Sequence, residues 1–240
     1  MAKPSPRAPV AHAIWKPEPR RSLRPIVNYN NVLAPLEPST ERDNSIIVDE
    51  VADAFPKLQL AVAYSFSAHA GQVRKGTSIP YVSHLLAVAA IVLEHGGDED
   101  LACAALLHDI VEDCGAEHED VIQELFGERI ARIVSDCSDT DVQPKPPWLE
   151  RKRAYLAHLE HADQDTLVVS CADKLHNARA IVGDLRAHGP GMLARFNAPS
   201  GGTQWYYRAL SEVFQRRLPG PIASELTAVV EELEDLAGDR

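Results

Sequence analysis

From Lys57 onward, apolar residues recur at intervals of three and four, the period of a helix with one buried face. Leu58, Val62 and Phe66 mark the first such helix, over residues 57–70, which Gly71 ends. Residues 71–80 (Gly-Gln-Val-Arg-Lys-Gly-Thr-Ser-Ile-Pro) carry glycine, proline and polar types in loop proportions. A second helix is predicted from about Ser83, with Leu85, Val88, Ala89 and Val92 on one side, up to Gly96-Gly97. Asp98 then supplies an N-cap for a third helix running through Leu101–Asp113. Two short helices follow in 118–137, split near Gly127, and a proline-rich loop holds Pro144, Pro146 and Pro147. Further helices are predicted over Trp148–His161, 164–187, 203–217 and 221–237, the last two separated by Pro219-Gly220-Pro221. No alternating stretch is long enough for a sheet. Thr166-Leu-Val-Val-Ser is β-branched but lies inside helical pattern. The expected fold is all-α, one bundle of about ten helices over 46–240.

Residues 1–45 differ in kind. Eight of the 17 prolines fall in 1–44, with scattered arginine and no sustained apolar period. Such a stretch cannot bury enough apolar surface to order itself, which predicts a disordered or loosely docked extension.

Composition narrows the function classes. Of the 240 residues, 45% are hydrophobic and 25% charged, values ordinary for a globular chain. No run of about 18 apolar residues is present to span a membrane, and the N-terminus lacks a secretory h-region. The four cysteines (Cys103, Cys114, Cys137, Cys171) form no Cys-x-x-Cys pair and read as reduced thiols, so a cytoplasmic location is expected. The formal net charge is −11, yet residues 1–44 carry seven Lys/Arg against four Asp/Glu, which leaves about −14 on the body. A body that acidic is a poor partner for nucleic acid. An anionic substrate would need a local basic pocket or a cation.

The chemistry concentrates where the third helix ends. His108, Asp109, Glu112 and Asp113 fall within six residues, directly after the apolar run Leu101–Leu107. In a continuous helix His108 stacks with Glu112, and Asp109 lies beside Glu112 and Asp113. Carboxylates entering a core need compensation, and a divalent cation is one source; a charged helix end reaching water is the other reading. His84 and Asp173 add a second imidazole and a second carboxylate from other helices. Two of each suit Mn²⁺, Zn²⁺, Fe²⁺ or Mg²⁺ better than a thiolate metal.

Taken together, His84, His108-Asp-Ile-Val-Glu-Asp113 and Asp173-Lys-Leu-His-Asn177 resemble the HD-domain phosphohydrolases. Within them the pattern is similar to the hydrolase domain of the RelA/SpoT family, above all the stand-alone small alarmone hydrolases. Tyr64 to Gly76 matches that family's opening loop, and the likeness covers about 58–218. The resemblance implies one divalent ion, usually Mn²⁺, held by His84, His108, Asp109 and Asp173, with Glu112 and Asp113 acting on the water. It implies hydrolysis of the 3′-pyrophosphate of a nucleotide such as (p)ppGpp, to GDP or GTP and pyrophosphate. It further implies that Arg74 stacks on the base, Lys75 contacts phosphate, Asn177 contacts phosphate or sugar, and Tyr206 lines the nucleotide site. Arg179 would bind phosphate or form a structural pair. Two departures stand out: Leu85 replaces the proline that usually follows the first histidine, and Ala180 replaces a threonine that helps to read guanine. The second leaves (pp)pApp as an alternative substrate. Removal of the NADPH 2′-phosphate and non-catalytic nucleotide sensing are the other readings. The chain is expected to act as a monomer or homodimer.

Overall fold

The computed structural model describes residues 55–138, 146–196 and 198–238, so the extension predicted over 1–45 lies outside the described residues. Among the described residues the fold is all-α, with ten α-helices and one 3-10 turn. These are α1 (Pro56–Ala68), α2 (Val82–Glu94), α3 (Glu99–Leu107), α4 (Ile110–Cys114), α5 (His118–Phe126), α6 (Glu128–Cys137), α7 (Trp148–Leu159), α8 (Gln164–His188), the 3-10 turn (Pro190–Arg195), α9 (Gly202–Arg217) and α10 (Pro221–Ala237).

Two acidic caps start the helices that matter most. Asp98 accepts a hydrogen bond from the Leu101 amide (2.9 Å) to open α3, and Asp163 accepts from the Thr166 amide (2.8 Å) to open α8. Each satisfies an amide that the helix itself leaves unbonded. Every residue from Leu101 to Leu107 is buried, so α3 runs through the core rather than along it. The 25-residue α8 packs against α2, α3, α6 and α10. In α1 the prediction was partly wrong about the inward face. Ala61 and Ser65 are buried and Leu58 and Val62 pack at the margin, whereas Phe66 is exposed.

The third helix does not continue to Asp113. It stops at Leu107, turns at His108-Asp109 and restarts as α4. His108 Nδ1 donates to the Ala105 carbonyl at 2.7 Å, taking an acceptor that a continuing helix would use itself. Glu112 and Asp113 therefore stand in the first turn of a new short helix, not at the end of a long one.

The loop between α1 and α2 is a tight reversal. Arg74 N donates to the Ile79 carbonyl (2.8 Å), Tyr81 N donates to Gln72 (2.9 Å), and Val73 bridges Pro80. Gly76 sits at φ +72°, where an added Cβ would meet the Arg195 side chain at 2.7 Å. That close approach, with Arg195 tied to Asp184 at 2.8 Å, ties the reversal to the 3-10 turn that follows α8.

Candidate metal centre

α2, the α3–α4 turn and α8 each bring ligand-type side chains to one buried point. His84 Nε2 lies 3.2 Å from Asp173 Oδ1 and 3.5 Å from Asp109 Oδ2; His108 Nε2 lies 3.1 Å from Asp109 Oδ2 and 3.6 Å from Asp173 Oδ1. One ligand atom each from His84, His108 and Asp109 falls within 4.8 Å of the others, and Asp173 closes the group from α8. Neither Nε2 makes an aligned hydrogen bond, and both are shut off from water. A buried nitrogen without a partner is costly, and a cation coordinated by both lone pairs removes that cost. The donor set, two imidazoles and two carboxylates, suits a divalent ion.

Charge balance sets the protonation. Burial alone would lower the His108 imidazole, but without a metal the Asp109 carboxylate, with Asp173, outweighs it and holds the pKa well above its ordinary value, so a cation binding at Nε2 displaces that proton. Burial alone would raise both carboxyls. Instead His108 holds Asp109, and Lys174 together with the imidazoles holds Asp173, well below the usual carboxylate range. Both acids are ionised and ready to ligate.

A second layer of contacts orients these groups. The Tyr81 hydroxyl donates to Asp109 Oδ2 at 2.5 Å, and burial raises the phenol so that it keeps its proton. Asp173 accepts from Lys174 Nζ at Oδ2 and from Asn177 Nδ2 at Oδ1, both at 2.5 Å. The Nδ1 atoms of His84 and His176 face each other at 2.7 Å. Burial, then the neighbouring His84, lowers the His176 pKa to about 4, so this imidazole is neutral.

The remaining predicted residues divide. Arg74 is brought in: its guanidinium donates to Asn177 Oδ1 at 2.7 Å and lies 5.8 Å from the Tyr81 ring centre. Lys75 is exposed on the same reversal. Glu112 is half-buried, and Asp113 is exposed and accepts from Gln72 Nε2 at 2.7 Å. Tyr206 is buried on α9 and lines a cavity of about 180 Å³ with Asn177, Lys174, Lys152, Trp148 and Thr203. Arg179 is exposed and paired with Glu225 on α10. Ala180 is exposed.

Sequence reasoning did not single out Tyr81, His176 and Trp148. The first two had a signal: Tyr81 precedes His84 by three residues and His176 follows Asp173 by three, the spacing of one helical face. Trp148 had none, because nothing local to it announces the cavity.

The HD domain family model matches residues 61–191, just over half of the chain and all four ligand-type residues. The chain belongs to the HD-domain family. It is 39% identical over 122 residues to the guanosine-3′,5′-bis(diphosphate) 3′-pyrophosphohydrolase MESH1 of Xenopus tropicalis, a match covering 50% of this chain and 66% of that protein. It is 33% identical over 140 residues to the bifunctional (p)ppGpp synthase/hydrolase SpoT of Escherichia coli, covering 56% of this chain and 19% of SpoT. The match thus spans slightly less than two thirds of the first relative and a fifth of the second. Among solved structures, it superposes on a metazoan ortholog of SpoT described as hydrolysing ppGpp, with a TM-score of 0.58, 26% identity, and coverage of 76% of this chain and 96% of that one. The four ligand-type side chains thus form a site suited to a divalent metal ion. No helix among the described residues is long and apolar enough to cross a membrane.

Proposed function

We propose that this HD-domain protein is a metal-dependent hydrolase that removes the 3′-pyrophosphate of (p)ppGpp. The observation that carries the reading is the pair of buried, unbonded imidazole nitrogens meeting two ionised carboxylates beside an arginine-bearing loop and a cavity. The named activities of the MESH1 and SpoT relatives point the same way.

His84, His108, Asp109 and Asp173 would hold one divalent ion, of which Mn²⁺ fits the mixed nitrogen and oxygen donors. Bound there, such an ion supplies Lewis acidity and a water acidic enough to ionise near neutral pH. The chain's own residues do the rest. Glu112 and Asp113 follow Asp109 on α4, orient the attacking water and take its proton. Arg74, held by Asn177, presents a flat guanidinium for stacking on the base or pairing with phosphate, and Lys75 adds positive charge at the rim. Trp148 and Tyr206 line the cavity together with Asn177 and suit the nucleoside part. Arg179 is left out of this set, because its guanidinium is engaged with Glu225.

Purified protein incubated with ppGpp, ppApp and NADPH, with and without Mn²⁺, tests the proposal. Pyrophosphate and GDP released only with metal, and lost in Asp109→Ala, is the expected result. Turnover of ppApp above ppGpp would move the assignment to adenine, as Ala180 allows. Phosphate release from NADPH alone would replace it, and tight nucleotide binding without turnover would make the protein a sensor.

A further inference from the structure

Resting on the four-ligand reading above, we infer that His176 is the positioning residue that makes His84 a metal ligand. His84 is wholly buried on α2, and its two ring nitrogens face opposite ways. Nε2 points to Asp109 and Asp173, while Nδ1 points at His176 Nδ1, 2.7 Å away on α8. At that distance one proton, and only one, lies between the two nitrogens. If it belonged to His176, a neutral His84 would carry its own proton on Nε2 and have no lone pair for a cation. If it belongs to His84, Nε2 presents its lone pair to the two carboxylates and His176 is the acceptor. His176 is only half-buried, so its own proton can sit on Nε2 within reach of water.

The two histidines reach the centre differently. His108 gets its tautomer from a backbone carbonyl, Ala105, three residues upstream. A carbonyl can only accept, so that proton is fixed by the chain itself. His84 has a side chain from another helix in the same place, so its tautomer depends on α2 and α8 being packed together. The ring centres, 4.8 Å apart with planes tilted by 44°, also keep His84 from rotating about its Cβ–Cγ bond. A ligand's hydrogen-bonded partner of this kind changes metal affinity by about 10–100-fold when removed.

The test is calorimetric titration of metal-free protein with Mn²⁺ for the wild type, His176→Leu and His176→Gln, with melts in chelator to verify folding. His176→Leu should bind Mn²⁺ about 10–100-fold more weakly. His176→Gln, whose side-chain oxygen can accept the His84 proton, should recover most of that loss. A folded His176→Leu that binds within twofold of the wild type overturns the inference and leaves the metal site standing. A wild type that binds no Mn²⁺ overturns the four-ligand reading itself. Should His176→Leu not fold, nuclear magnetic resonance of the Zn²⁺-loaded wild type decides. A coupling between the two Nδ1 nuclei with the proton on His84 supports the role, and a His84 Nδ1 proton exchanging freely with water overturns it.

Discussion

Replacing Asp173 by alanine should cost folding stability that replacing Asp109 does not, even with no metal present. The reason is Lys174. Its ammonium lies 2.5 Å from Asp173 Oδ2, and the two side chains are only 15% and 7% exposed. Burial alone would lower the lysine, and the Asp173 carboxylate reverses this and holds it charged. Without that carboxylate the ammonium keeps, among the described residues, the face of Tyr155, 5.0 Å from Nζ. Breaking a buried pair by removing one partner costs about 3–5 kcal/mol. Relief of the Asp109–Asp173 repulsion returns about 1 kcal/mol, and water reaching the 15% exposed ammonium roughly another. The net loss is about 2 kcal/mol, or roughly 5 °C in Tm for a body of about 180 residues. Asp109→Ala gains the same relief and loses the hydrogen bond from a half-buried Tyr81, about 1 kcal/mol, together with the attraction of His108, whose imidazole can shed its proton once the carboxylate is gone. Circular dichroism melts in excess chelator should therefore rank wild type and Asp109→Ala together, with Asp173→Ala about 5 °C lower. Adding Lys174→Met to Asp173→Ala should restore the melt without restoring metal binding. An Asp173→Ala protein melting within 2 °C or so of the wild type would refute the reasoning, as would a double variant no more stable than the single one.

Glu112→Gln should leave Mn²⁺ affinity within about twofold while lowering kcat by about 10²–10⁴; loss of metal instead would make Glu112 a ligand. Trp148→Ala should raise KM for the nucleotide with little change in Mn²⁺ affinity, read from steady-state kinetics and titration; an unchanged KM would remove the cavity from the substrate path. Asp98→Ala should lower stability by about 1 kcal/mol through loss of the α3 cap. Burial would raise the Asp98 carboxyl, but hydrogen bonds from Arg129 and the Leu101 amide hold it below its ordinary value. Its contribution is thus complete above pH ~4 and disappears as pH falls through the lower folded value. The gap between variant and wild-type melts should close toward acid, and a gap that widens would contradict the sign.

Much of this was written in local pattern. The spacing of Leu85, Val88, Ala89 and Val92 foretold α2, and Asp98 and Asp163 at two helix starts reflect a rule that depends only on neighbouring amides. The residue types for a metal centre were visible too, because His108-Asp109 after seven core residues has few inexpensive explanations. Local pattern failed where a contact crossed the fold. Phe66 satisfies the helical period yet faces outward, because which stripe of α1 meets the core depends on where α2, α3 and α4 lie. The break at His108 depended on a side chain competing for a single carbonyl, which no periodicity records. Nothing local to Arg179 or Arg74 names its partner in the fold, and Glu225 engages one and Asn177 the other.

The chain by itself therefore determined that there would be helices, where most of them begin and end, and which side chains could serve a cation. Those outcomes rest on interactions a few residues long. Only packing decided that His84, His108, Asp109 and Asp173 meet, and that Tyr81, Lys174 and His176 stand behind them. Such contacts join groups up to 92 residues apart, and they form only once burial of the apolar stripes has fixed how the helices lie against one another.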